Sequence, residues 1–158
     1  MRLTRYTDFC FRVLVHVGLK GGALATTREI SDHYQISNNH LMKVVYDLNV
    51  KGYLETVRGK NGGIRLRRAP EDINLGALIR ETETGSALVE CQTSEGQCRI
   101  SSSCRLRDVL GEALGAFLAV LDRYTLADLI EPKDELSQLL GLNLDEITAP
   151  SRLKRMAR

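Results

Sequence analysis

Three cysteines fall within one short polar stretch, Glu90-Cys91-Gln92-Thr93-Ser94-Glu95-Gly96-Gln97-Cys98-Arg99-Ile100-Ser101-Ser102-Ser103-Cys104. The surrounding residues are too polar to bury, so these thiols are not core filler. Metal binding or redox chemistry is what such a collection can do. An odd number argues against a closed disulfide framework, because one pair leaves an orphan thiol. The Cys-x6-Cys-x5-Cys spacing also lacks the close Cys-x2-4-Cys pairs from which structural zinc sites are usually built, and no histidine lies in the loop. An iron–sulfur cluster is wider and accepts irregular spacing, since its thiolates bind different iron corners. Three thiolates leave one ligand position to another residue, to solvent or to a small molecule. That weakly held iron is where a diatomic ligand or an oxidant would react. Cys10 and Asp8 are the candidates for the fourth ligand. Cys10 is the better thiolate donor, but it lies on the apolar stripe of a helix, where cysteine commonly acts as a small hydrophobe. Asp8 stands at the start of the same helix, polar and able to reach outward. The residues alone leave that choice open.

The frame around these thiols is a chain of 158 residues, 43% hydrophobic and 5% aromatic, without tryptophan. That is enough for an aliphatic core in one domain, or in a small domain with an oligomerisation element. Arg2, Arg5, Asp8 and Arg12 interrupt the N-terminus, so no signal-peptide run is present. No apolar stretch approaches the roughly 20 residues needed to cross a bilayer. A cytoplasmic location is expected, where thiols stay reduced and clustered cysteines point to metal or redox work. The formal net charge of +2 conceals an asymmetry: residues 1–70 hold 12 Lys/Arg against 5 Asp/Glu, and residues 71–131 hold 5 against 11. A basic half joined to an acidic half is the footprint of a nucleic-acid-binding module with a separate non-binding part. No nucleophile–base pairing, no paired carboxylates in an apolar setting and no nucleotide loop stand out, so the chain is not expected to be an enzyme.

The elements that must position these groups read mainly as helices. Residues 7–20 place Cys10, Val13, Leu14 and Val17 at helical spacing. Thr26 and Glu29 form a capping box for a short helix ending near Tyr34. Gln35-Ile36-Ser37 makes a tight turn, with Ser37 as N-cap of a helix over about 38–51 that buries Leu41, Val44, Val45 and Leu48. Gly52 stops it. A short helix, a tight turn and a second helix with polar first turns describe a helix-turn-helix, over about 27–51. Two alternating segments within 53–66, around the loop Arg58-Gly59-Lys60-Asn61-Gly62-Gly63, predict a β-hairpin wing. The glycine spacing is wrong for a nucleotide-phosphate loop, and no helix opens after it. The expected fold is therefore mainly α with a small hairpin: a winged helix-turn-helix over 1–70. A second region, 71–131, contains a connecting helix over about 73–82, the cysteine loop 90–104 and a long helix over 103–124. In that helix Leu106, Leu110, Ala113, Phe117, Val120 and Tyr124 follow a seven-residue repeat, which predicts pairing with a second copy. Homodimerisation would present two reading heads to a palindromic site in double-stranded DNA. Residues 132–158 lack periodicity and read as a loosely ordered tail.

Taken together, these residues resemble the family of winged-helix iron–sulfur transcriptional repressors, and most resemble its nitric-oxide-sensitive branch. The likeness covers roughly Leu3 to Glu131. It is carried by Leu3-Thr4-Arg5-Tyr6-Thr7-Asp8, by Asn39-His40-Leu41-Met42-Lys43-Val44-Val45, by Val57-Arg58-Gly59-Lys60-Asn61-Gly62-Gly63-Ile64-Arg65-Leu66, by the three cysteines and by Tyr124-Thr125-Leu126-Ala127-Asp128-Leu129. The resemblance implies an iron–sulfur cluster on Cys91, Cys98 and Cys104, completed by Asp8 from the partner subunit. The family includes [2Fe–2S] and [4Fe–4S] forms, and the four-iron form is the expectation. The cluster-biogenesis branch carries a ligating histidine three residues after the third cysteine. Arg107 stands there instead, which argues against that branch. The first two cysteines are also a residue or two farther apart than the family pattern.

The function expected is a repressor that leaves its operator when nitric oxide reacts with the cluster. The alternatives are a cluster-free thiol redox repressor, a repressor braced by structural zinc, and a sensor of iron or cluster status. In each case Ser37, Asn38, Asn39, His40 and Lys43 would meet the major groove. Arg58 would enter the minor groove, and Lys60 and Arg28 would lie on phosphates.

Overall fold

The computed structural model describes residues 2–83, 88–89, 98–100 and 102–142. The chain opens with α1 (Arg5–Leu19), whose N-cap Thr4 accepts a hydrogen bond from the Thr7 backbone. One face of α1, including Cys10, Val13, Leu14 and Val17, is fully buried and forms the spine of the core. Next come α2 (Thr27–Tyr34) and α3 (Asn38–Val50). Both hydrogen bonds of the Thr26/Glu29 capping box are present at the start of α2. Gln35 turns the chain by adopting a left-handed conformation (φ 53°), and the Ser31 hydroxyl secures the turn by donating to the Ile36 carbonyl at 2.7 Å. Ser37 occupies the N-cap position of α3, but its side chain makes no capping hydrogen bond. Ile30, Leu41, Val44 and Leu48 close this helical pair onto α1.

The wing consists of β1 (Leu54–Val57) and β2 (Gly63–Leu66), antiparallel, with Leu54 opposite Leu66 and Val57 opposite Gly63. Ala25, just before α2, exchanges two backbone hydrogen bonds with Ile64, at 2.9 and 2.8 Å. The wing is thereby pinned to the entry of the helix-turn-helix. Its turn needs a residue without a side chain at Gly62, where an added Cβ would collide with the Val57 carbonyl oxygen. Gly62→Ala is expected to cost about 0.5–3 kcal/mol by forcing the turn apart. Denaturant unfolding would read this, and an unchanged midpoint would count against the tight turn.

After a 3-10 turn (Pro70–Asp72), α4 (Leu75–Thr82) leads to the cysteine loop, and then come α5 (Arg105–Leu121), α6 (Leu126–Ile130) and α7 (Lys133–Leu139). The C-terminal end of α5 is fastened to α4. Arg80 grips Asp122 with two hydrogen bonds of 2.6 Å, and the Asn74 amide donates to the Asp122 carbonyl at 2.7 Å. Backbone bonds from Leu75 to Tyr124 and from Leu126 to Ile73 complete the junction. Leu126 then enters the common core. At its other end, α4 reaches α1: the Thr4 backbone and hydroxyl donate to Glu83 Oε1 at 2.7 and 2.9 Å, and Thr7 donates to Thr82 at 3.0 Å.

Two boundaries differ from the sequence reading. The long helix begins after Cys104, whose backbone is extended, and ends before Tyr124. The segment from 132 is not simply a loose tail, because α7 forms there and buries Ser137, with Leu142 buried just beyond it. Seven residues are too few to display a helical period, so its packing gave no sequence signal. Residues 143–158 lie outside the described residues.

Candidate nucleic-acid interface and thiol site

The first turns of α3 stand bare. Ser37, Asn38, Asn39, His40 and Lys43 are all exposed, while Leu41, Val44 and Val45 on the opposite face are buried. A helix so divided holds its polar groups outward without any contribution from them to the core. Because the Ser37 hydroxyl does not cap the helix, it remains available to an outside partner. Arg28 is exposed in the first turn of α2, and Arg58 and Lys60 are exposed on the wing loop. None of these three makes an ion pair among the described residues. Arg65, by contrast, is paired with Glu55 across the hairpin. Arg68 stacks on Tyr53, 4.6 Å from the ring centre, and donates to the Lys51 carbonyl at 2.9 Å. Basic residues with structural work are thus distinguished from those that face solvent.

The structure adds residues that the spacing did not reveal. A cleft of about 280 Å³ between α1 and α3 is lined by Arg5, Tyr6, Phe9, His40, Lys43 and Val44. Phe9 lies against His40, with ring centroids 6.4 Å apart. Arg5 therefore joins the basic end of α3, although it is distant in sequence. Met42 and Tyr46, 55% and 67% exposed, lie on the same helix as large apolar surfaces open to a partner.

At the thiol site, Cys104 is half-buried at the N-cap of α5 and Cys98 is exposed, while Cys91 lies outside the described residues. The partial positive charge of a helix N-terminus faces Cys104, an arrangement that suits an anionic sulfur ligand. Asp8 is half-exposed, and its carboxylate pairs with Arg12 at 3.0 Å. Arg12 in turn lies 5.7 Å above the ring of Tyr34, at the end of α2. Asp8 makes no hydrogen bond or ion pair with Cys98 or Cys104 among the described residues. Cys10 is fully buried, and its thiol is pushed up to about 12, chiefly by burial; a hydrogen bond from Tyr6 opposes this and the nearby Asp47 carboxylate adds to it. A protonated thiol sealed in the core is a poor ligand. Of the two candidates for a fourth ligand, only Asp8 is both ionisable and accessible.

HTH-type transcriptional regulator NsrR of Bacillus licheniformis is 51% identical over 143 residues, covering 89% of this chain and all of that protein. The protein of the same name from Bacillus subtilis is 49% identical over 144 residues, covering 90% of this chain and 99% of its own. Among solved structures, oxidized Staphylococcus aureus CymR is similar with a TM-score of 0.67 and 24% identity, over 83% of this chain and 97% of that one. T. potens IscR is similar with a TM-score of 0.68 and 22% identity, over 86% and 90%. These two likenesses establish the fold. No helix among the described residues is long and apolar enough to cross a membrane. The family model described as "Iron-dependent Transcriptional regulator" matches residues 3–132, and the chain belongs to that family, Rrf2.

Proposed function

We propose that this chain is an iron–sulfur-dependent, DNA-binding transcriptional repressor that acts as a homodimer and leaves its operator when nitric oxide reacts with its cluster. The observation that carries the reading is the exposed polar N-terminal face of α3, in a chain of the Rrf2 family. Ser37, Asn38, Asn39 and His40 offer donors and acceptors suited to base edges, with Lys43 on phosphate or guanine. Arg58 suits a narrow minor groove, and Arg28 and Lys60 suit phosphates.

The second copy is supported by α5. None of its residues is buried, and Leu106, Val109 and Val120 are 61%, 58% and 46% exposed. An apolar seven-residue repeat left open in this way matches a parallel or antiparallel helix partner. Because Arg80 and Asn74 fasten α5 to α4, docking of two such helices would set the separation of the two reading heads.

The donors present suit a cluster. Cys98 and Cys104 lie outside the core, and Cys91, Cys98, Cys104 and the partner's Asp8 together would hold it in the [4Fe–4S] form. When bound, the cluster supplies iron atoms at which nitric oxide reacts. For Asp8 to serve as ligand it must part from Arg12. That pair is half-exposed and on one helix, so its loss costs only about 0.3–0.5 kcal/mol. Arg12 and its neighbour Tyr34 then carry the change in Asp8 to α2, while Thr4 and Thr7 tie the same end of α1 to α4 and the start of the cysteine loop.

Iron and acid-labile sulfide per monomer, with a visible spectrum, on anaerobically purified protein would test the reading. Matching iron and sulfide with a chromophore that nitric oxide alters, together with release from DNA, is expected. Iron-free protein that resists anaerobic reconstitution would leave the thiol switch or the zinc brace. Asp8→Ala is expected to retain iron and sulfide but to uncouple them from DNA affinity. If nitric oxide released this variant from DNA as it does the parent, Asp8 would not be the ligand that transmits the signal.

A further inference from the structure

A second group of metal-binding side chains lies apart from the cysteines. His16 on α1 is completely buried, while Glu29 and His33 stand one turn apart on α2, the former half-buried and the latter exposed. One donor atom from each lies within 4.8 Å of the others. His16 Nε2 is 3.4 Å from Glu29 Oε1, a long contact for a hydrogen bond, and His16 Nδ1 is buried with no hydrogen-bond partner. Nε2, the nitrogen that faces Glu29, is the one an ion shared with that carboxylate would use, while Nδ1, directed elsewhere on the ring, would keep its proton. The His33 ring centre is 5.2 Å from that of His16, tilted by 38°. The other charged neighbour is Lys20, whose ammonium lies 3.0 Å from the same Glu29 oxygen. Glu29 Oε2 accepts from the Thr26 backbone as part of the capping box, which fixes the carboxylate in place.

We propose that His16, Glu29 and His33 bind one divalent transition-metal ion of the zinc(II) or iron(II) class, in a site independent of the cysteines. Two imidazoles and a carboxylate are a donor set that both ions accept, with water filling the remaining positions. Ligand bonds of about 2.0–2.2 Å place neighbouring donors roughly 3.4 Å apart around a tetrahedral ion. The His16–Glu29 separation already has that value. The exposed His33 side chain is the one that must swing inward. An incoming dication would take the Glu29 oxygen from Lys20, which sits near the end of α1 and can turn to solvent. The ion would then clamp α1 to α2 directly ahead of the recognition helix. That makes metal supply a second input to the geometry of α3, whatever happens at the thiols.

Cobalt(II) separates the two classes of site, because thiolate ligation produces an intense charge-transfer band and ligation by imidazole and carboxylate does not. Titration of the metal-free full chain should show one equivalent per monomer that lacks this band. His33→Ala, at an exposed position, should lose that equivalent alone and keep its far-ultraviolet circular dichroism. Zinc(II), or iron(II) without oxygen, should raise the thermal midpoint of the parent but not of His33→Ala, by the linkage between binding and folding. Glu29→Gln should likewise lose the equivalent. If every bound cobalt ion showed thiolate charge transfer, or if His33→Ala bound as many equivalents as the parent, the site would be refuted. Neither result would depend on whether an iron–sulfur cluster forms, so the repressor reading would stand or fall separately.

Discussion

Replacing Leu106 and Val120 together by glutamate is expected to convert the proposed dimer into a monomer and to weaken operator binding by about 10²–10⁴-fold. That range is what is lost when two linked binding modules become two separate ones. Both side chains are largely exposed in the single chain, and neither belongs to the core around α1. The substitutions therefore leave the reading head intact and act on the open stripe of α5. In a dimer packed along that stripe they would bury four carboxylates without partners, which association cannot tolerate. Sedimentation analysis reads the change in mass, and circular dichroism checks that the helices persist. A variant that stays dimeric and binds its operator normally would show that α5 is not the interface.

The second large effect is expected from Cys98→Ala. The residue is exposed and lies outside the core, so its loss should leave the hydrophobic packing of the apoprotein intact. Under the proposed ligand set, however, two cysteines and one aspartate remain, and iron and sulfide should no longer be retained. Operator affinity should then fall about 5–150-fold, the range of a coupling free energy of 1–3 kcal/mol between two sites. Anaerobic iron analysis and DNA binding on the same preparation read both effects. Normal iron content with a normal visible spectrum would remove Cys98 from the ligand set. Full DNA affinity without iron would break the link between the cluster and repression.

Much of the positioning framework could be read from the chain because it depends on local chemistry. The Thr26/Glu29 capping box, the helical period of Val13, Leu14 and Val17, the glycine that ends α3 and the alternation around Gly62 each act over a few residues. The left-handed Gln35 is an exception: neither glycine nor asparagine marks the turn, which is held instead by Ser31 reaching the Ile36 carbonyl. The α7 helix was hidden for a related reason, since its seven residues are ordered by contact with α1 rather than by a period of their own.

What the sequence by itself determined is the inventory: a basic reading head with polar residues at the start of α3, a wing with Arg58 and Lys60, three clustered thiols, and a heptad helix to follow them. Each is set by residue type and near spacing. Only the tertiary structure decided which groups meet. Packing of α1 against α3 brings Arg5 and Phe9 to His40 and Lys43, seals Cys10 in the core, and leaves Asp8 accessible beside Arg12. The crossing of α1 and α2 gathers His16, Glu29 and His33. These meetings span many residues and depend on how helices cross, and helix crossing is set by the shapes of buried side chains rather than by any period along the chain.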